Sequence, residues 1–538
     1  MKKYLILFFF ISSLSTAFAQ GKELPYYIQW GQELKEPSGT FLSKIIMSNA
    51  DHFYALREKA SKIPGEGPSK IYIEKYNKQM KLLKSKAIDI KYKGKKMEME
   101  DILVVNRELY LLSSFNNIGK KKNYLFAQKI DPNRLVPEKK LTKIGEINTK
   151  NKYKEGFFNF HISKDSSKVL VYNEPPYNKK KAEQFDLRVF DNQFNEIWSK
   201  QVVLPYKDKG FIVEEYQVDN QGNVYLLALV FPNGKQFRKK GKPNFRYSIL
   251  AYTNNGENMQ EYPISLDEKF ITDLTFRISN RGKIVCSGFY SDKGTTSIRG
   301  TYFFRLNPRD GTIEDQNDKD FDFSFLTADA SDRKIAKYMD AERSGKKKKQ
   351  AELERYALDH LILRNDGGAL LIAEQYFVRE YVDNDNFFWG DPYYRNNFGN
   401  TFDYYYNYND IIVVNIRPNG EIQWTARIPK RQSTVNDGGY FSSYAMSIVR
   451  DKIYFIYNDD ARNFDNSSGR FYEYDGRRSV IALSQLSTNG SVKTFPILSA
   501  GGANVVTRPK VCRQTGRREM VIYGENGKKF KFANLQFL

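Results

Sequence analysis

The sequence predicts an all-β fold, an eight-bladed β-propeller with seven blades as the alternative, and three observations predict it. First, eight polar turns recur, each followed by a β-branched or aromatic run: Asn49-Ala50-Asp51, Asn106-Arg107, Lys164-Asp165-Ser166-Ser167, Asp219-Asn220-Gln221-Gly222, Ser279-Asn280-Arg281-Gly282, Asn365-Asp366-Gly367-Gly368, Arg450-Asp451 and Gln514-Thr515-Gly516. Second, another hairpin turn follows in seven of these units, at Tyr76-Asn77-Lys78, Asp131-Pro132-Asn133, Asp191-Asn192-Gln193, Asn254-Asn255-Gly256, Pro308-Arg309-Asp310-Gly311, Pro418-Asn419-Gly420 and Thr488-Asn489-Gly490. Two hairpins per repeat give a four-stranded antiparallel blade, strands a to d. Third, the last repeat stops after strand c, and residues 26–33 (Tyr-Tyr-Ile-Gln-Trp-Gly-Gln-Glu) read as the missing strand d. Ring closure by that strand removes the exposed sheet edges that template aggregation.

Residues 1–19 read as a secretory signal. Lys2 and Lys3 precede an apolar run too short to span a bilayer, and Ala17-Phe18-Ala19 is the cleavage site. No cysteine follows for lipid attachment, and no later segment reads as transmembrane. The expectation is an exported protein, periplasmic or associated with the outer membrane, with residues 20–538 forming one propeller domain. Removing the signal takes away two lysines and no acid, lowering the formal charge from +22 to +20. Such a balance suits solubility or a polyanionic partner. Cys286 and Cys512, in different repeats, read as free thiols.

Two segments break the repeat. Residues 328–358, rich in Ala, Glu, Lys and Arg, read as a helical insertion interrupted at Ser344-Gly345. Residues 381–410 read as a Tyr/Asn-rich loop insertion, a place where a rigid scaffold carries binding residues.

The signal without a lipid cysteine, the four-strand repeat, and the stretch from Ile411-Ile412-Val413-Val414 through Gln423-Trp424 to Ile428-Pro429-Lys430-Arg431-Gln432 together resemble a family of exported β-propeller proteins of Bacteroidota, generally without an assigned function. The resemblance implies the fold and brings no catalytic residues. The Gly-His and Trp-Asp dipeptides of WD repeats are absent.

Catalytic signatures are lacking. His52, His161 and His360 fall in different blades with no second ligand at zinc spacing, and there is no nucleophile elbow or phosphate loop. No metal or cofactor is expected. Asp318, Asp320 and Asp322, like Asp383 and Asp385, alternate as calcium ligands do but match no twelve-residue calcium loop.

The informative constellation is positional. All b–c loops of a propeller share one face, and here consecutive ones carry Lys120-Lys121-Lys122, Lys179-Lys180-Lys181, and Arg238-Lys239-Lys240 with Lys242. Solvated loops gather lysines without any partner; side-by-side clusters also steer an anionic one. The expected function is a non-catalytic scaffold of the cell envelope that engages an envelope protein or an anionic polysaccharide or lipopolysaccharide through this face. Nucleic acid is not expected, because an exported protein rarely meets it. The alternative is a carbohydrate-binding or carbohydrate-active protein using Tyr393, Tyr394, Tyr404 and Tyr405 with acids such as Asp391 and Asp403.

Overall fold

The structure is a computed structural model, and it describes residues 24–61, 67–149, 151, 154–178, 181–232, 238–239, 242–266, 269–383, 401–465, 470–497 and 505–538. These residues form an eight-bladed β-propeller. Blades 1 to 7 open with strand a at Thr40–Ser48, Glu98–Val105, Phe157–Ile162, Phe211–Val218, Phe270–Ile278, Tyr356–Leu363 and Ala445–Val449. Each pairs antiparallel with the next strand outward across the polar turns read from sequence. Asn106 and Arg107, for example, both take positive φ (47° and 65°) to close a two-residue hairpin.

Blade 8 combines both ends of the chain. Its strands a to c are Arg513–Gly516, Glu519–Asn526 and Lys529–Phe537, and its strand d is Tyr26–Trp30. Tyr26 faces Phe537 and Trp30 faces Ala533 in register, and Gly31 N–H donates to Phe532 O at 2.9 Å. The seam is stapled by charge as well as by backbone. Arg57 of blade 1, 1% exposed, pairs with Glu74 at 2.9 Å and with Glu36, just past the closing strand, and lies over the Phe530 ring of blade 8.

Alternation explains the apolar runs of strand b. In Val224–Val230 every residue is buried because both faces meet a neighbouring blade. Tyr225, Leu227 and Leu229 pack toward blade 5, while Val224, Leu226, Ala228 and Val230 pack toward blade 3. An apolar cluster of this kind fills each of the eight junctions of the ring, including the one between blades 8 and 1.

The two insertions differ from their sequence reading. Helix α1 spans Phe323–Thr327 and α2 spans Asp332–Arg343, with a short 3-10 turn at Lys347–Lys349. Tyr356–Leu363, whose first residues fall in the expected helical insertion, is strand a of blade 6, because pairing with strand b overrides the helical propensity of Ala357 and Leu358. Residues 401–410 are strand, not loop. Strands Ala369–Asp383 and Thr401–Ile416 form a long hairpin that runs beyond the blade, and Gln432–Val435 pairs with it at Tyr405–Tyr408. Residues 384–400 lie outside the described residues.

The cysteines are free, Cys286 buried and Cys512 half-buried. Asp318 pairs with Lys269, and Asp320 pairs with Arg299. No group of three metal-ligating side chains occurs among the described residues. No helix among them is long and apolar enough to cross a membrane.

A polar cleft beside the basic loops

Blade 2 turns from strand b (Glu108–Asn117) to strand c (Lys122–Asp131) through a tight 3-10 turn, Ile118–Lys120. Asn117 caps it by accepting the Lys120 N–H, and Lys121 closes it at φ 51°. Two of the three lysines are thereby thrown outward: Lys120 and Lys121 are exposed and have no acidic partner among the described residues. Lys122 behaves differently. It begins strand c, is half-buried, and is bound to Glu146 of strand d (Thr142–Asn148), which also accepts from Lys143 at 2.9 Å. Both lysines hold the Glu146 carboxyl below the usual carboxylate range.

In blade 3 the b–c connection lies between Lys168–Glu174 and Ala182–Asp191. Its backbone is held from the next connection round the ring, where Asp208 accepts the Asn178 N–H at 2.5 Å and donates its own N–H to Lys181 O. Lys181 is exposed and has no acidic partner among the described residues. Lys179 and Lys180 lie outside the described residues, as do Lys240, Tyr393, Tyr394 and Asp391. Arg238–Lys239 and Lys242–Pro243 form a two-stranded hairpin on the blade 4 loop. Tyr404 and Tyr405 sit on the blade 6 hairpin, Tyr404 39% exposed, and Asp403 there accepts from Asn436.

Between blades 2 and 3, on the face bearing these loops, opens a cavity of about 590 Å³. One wall is the end of strand d of blade 2, Glu146 to Thr149; the other is Gln184, Asp186 and Arg188 of strand c with Ser199 and Gln201 of strand d (Glu196–Lys207). Pro175, Pro176, Asn178 and Lys181 roof it. Burial raises the Asp186 carboxyl, with Arg188 opposing and Glu146 adding to the rise. Two polar atoms of the lining are left over: Thr149 Oγ1 and Arg188 Nε have no hydrogen-bond partner, and Thr149 is 6% exposed. Buried polar atoms are rarely orphaned, so such atoms call for a partner.

A second chemical region escaped the sequence reading. Strand a of blades 2, 4, 5 and 6 each carries a β-bulge, and the extra residues are Glu100, Glu214, Thr272 and Asp359. A bulge re-aims a side chain. These strands line the central channel. Burial raises the Glu100 and Glu214 carboxyls, and pushes Asp273 up to about 7 and Asp359 to about 6. Glu214 and Asp359 add to the Asp273 shift, and Tyr444 donates to Asp359 at 2.7 Å. Farther along the axis, ends of strand a from blades 3 to 6 enclose about 380 Å³ around His161, Gln217 and Arg277. His161 Nδ1 accepts the Val218 N–H at 3.2 Å, and burial with the nearby Arg277 charge depresses its pKa to about 4. The available signal was charge at inner-strand positions, in Glu98-Met99-Glu100-Asp101, Glu214-Glu215 and Asp359-His360.

No protein-family model and no curated protein matches the chain. Among solved structures it is similar to the WD40 domain of SCAP from fission yeast, at 8% identity over 95% of each chain with a TM-score of 0.40. It is similar to the β-propeller domain of the Trilobed protease from Pyrococcus furiosus, at 9% identity over 86% of this chain and 99% of that one, TM-score 0.35. A protein of unknown function from Bacteroides caccae aligns at 11% identity over 71% and 94%, TM-score 0.26. No activity or ligand follows from likenesses at this level; strand pairing makes the chain a β-propeller.

Proposed function

We propose that this chain is a non-catalytic binding propeller of the bacterial cell envelope, exported by its N-terminal signal, that engages an anionic partner through the b–c face. The partner is an envelope protein or an anionic glycan such as a polysaccharide or lipopolysaccharide. The observation that carries this reading is the set Lys120, Lys121 and Lys181, exposed on adjacent blades without an acidic side-chain partner among the described residues, with Lys181 lining the cleft and Lys121 O accepting the Thr149 N–H at its edge. Unpaired cations on a single face steer anions over a Debye length, an effect that salt screens.

The test is capture of a polyanion, with lipopolysaccharide as probe, by wild type and by a variant with Lys120, Lys121, Lys179, Lys180, Lys181, Arg238, Lys239, Lys240 and Lys242 changed to Gln and Lys122 left in its pair with Glu146. Wild type should bind at low salt and release at high salt, and the variant should not bind; equal capture by both removes the basic face from the account. Folding should survive, since solvated lysines contribute little to stability.

One observation favours a second reading, a carbohydrate-active protein. Burial raises both Asp273 and Asp359, and Asp359 adds to the rise of Asp273, as neighbouring acids of a glycoside-hydrolysis site do. Hydrolysis of a chromogenic glycoside that Asp273→Asn abolishes would establish it; no turnover by wild type across a glycoside panel removes it.

A further inference from the structure

We infer that the cleft between blades 2 and 3 is a binding site for a short acidic saccharide, a uronate-bearing oligosaccharide taken up with its hydroxyls inside and its carboxylate at the lysine rim. This rests on reading the b–c face as an anion-binding surface and names the ligand class of one site on it.

Three features fit a saccharide. The cavity, about 590 Å³, falls in the range that encloses small ligands rather than a flat protein footprint. Its lining includes side chains that both give and accept hydrogen bonds, Asn148, Asn178, Gln184, Ser199 and Gln201. A pocket built for a protein's anchoring side chain would be apolar at its centre. Finally, charge is mixed. Glu146 and Asp186 share the lining with Arg188, Lys181 and Lys200, so acceptors for vicinal hydroxyls stand beside cations for a carboxylate. Lys121 adjoins the same cleft, its carbonyl accepting the Thr149 N–H at 2.9 Å.

One further detail fits. Thr149 Oγ1 and Arg188 Nε lie buried in the wall without a partner, so a small shift of the wall that brings a ligand hydroxyl to them satisfies groups the fold leaves unmet.

Calorimetric titration of the folded protein with tetragalacturonate, its methyl-esterified neutral counterpart and inorganic polyphosphate tests the site. Tetragalacturonate should bind at least tenfold more tightly than the neutral form. Thr149→Val, which removes only an unpartnered hydroxyl and leaves the melting temperature unchanged or higher, should weaken it several-fold. Lys181→Gln should weaken it about tenfold, with Lys181→Arg restoring it, while polyphosphate binding is untouched by Thr149→Val. If all three variants bind tetragalacturonate like wild type, the cleft proposal falls while the basic face stands. Equal binding of polyphosphate and tetragalacturonate, lost together in the loop-lysine variant alone, likewise overturns the cleft and leaves the face. Failure of wild type to bind either anion overturns the proposal and the anion-binding reading with it.

Discussion

Protonation of single side chains couples the channel to stability, and two groups act with opposite sign. Burial and the nearby Arg277 charge hold His161 neutral, and its Nδ1 accepts the Val218 N–H, a bond that protonation destroys. Its pKa falls to about 4 in the folded chain against about 6.5 unfolded. The unfolded chain therefore binds the extra proton between those values, and stability is lost as pH falls from about 6.5 to about 4, by at most about 3 kcal/mol. His161→Asn keeps an acceptor and cannot titrate, so its melting temperature should drop less than that of wild type between pH 7 and pH 4.5. Asp273 works the other way. Burial raises it to about 7, so the folded chain favours the protonated acid and that contribution decays as pH climbs from about 4 to about 7. A carboxyl ¹³C titration should place its midpoint near 7, and a midpoint near 4 would contradict its burial in the channel. Arg57 shows the cost of breaking a sequestered pair: Arg57→Met leaves Glu74, 3% exposed, without its guanidinium. The expected loss is about 3–5 kcal/mol in chemical denaturation.

Among the elements, the closing strand is the one whose role is most exposed to test. Its backbone passes so close to blade 1 that a Cβ on Gly31 would stand 2.4 Å from Met80 Cβ. Gly31→Ala should therefore cost about 1–3 kcal/mol by overpacking, read as a lower urea midpoint with an unchanged slope. The hairpins were legible element by element because Asn-Gly, Asp-Gly and their relatives fix a turn within four residues. Helix boundaries were less so. Ala357 and Leu358 favour a helix locally, yet they pair with strand b of blade 6 because the ring needs an inner strand there. The blade 6 hairpin was misread for a related reason: repeated Tyr and Asn look like low complexity, whereas residues 401–410 continue strand c and are paired on both sides at Tyr405–Tyr408.

At the scale of the whole molecule, closure joins residues 26–30 to residues 533–537, so the first and last strands stabilise each other. Deleting residues 24–36 removes strand d of blade 8 and Glu36 from the Arg57 pair. Scanning fluorimetry should show a clear fall in melting temperature, partly restored by adding a peptide of residues 24–36. An unchanged transition would mean that the ring does not depend on its seam.

The sequence by itself determined the repeat, its two hairpins and the strand that closes the ring, and it favoured eight blades over seven; strand pairing settles the count at eight. The first three follow from short-range turn chemistry and from apolar runs that must be covered on both faces. It also set which lysines occupy b–c turns. Only the tertiary structure decided that Lys122 is consumed by Glu146 while Lys120, Lys121 and Lys181 are not, that a polar cleft opens between blades 2 and 3, and that bulged strands bring acids from blades 4, 5 and 6 to one axis. Those facts depend on how neighbouring sheets face each other, between residues tens of positions apart, and no local pattern encodes such a meeting.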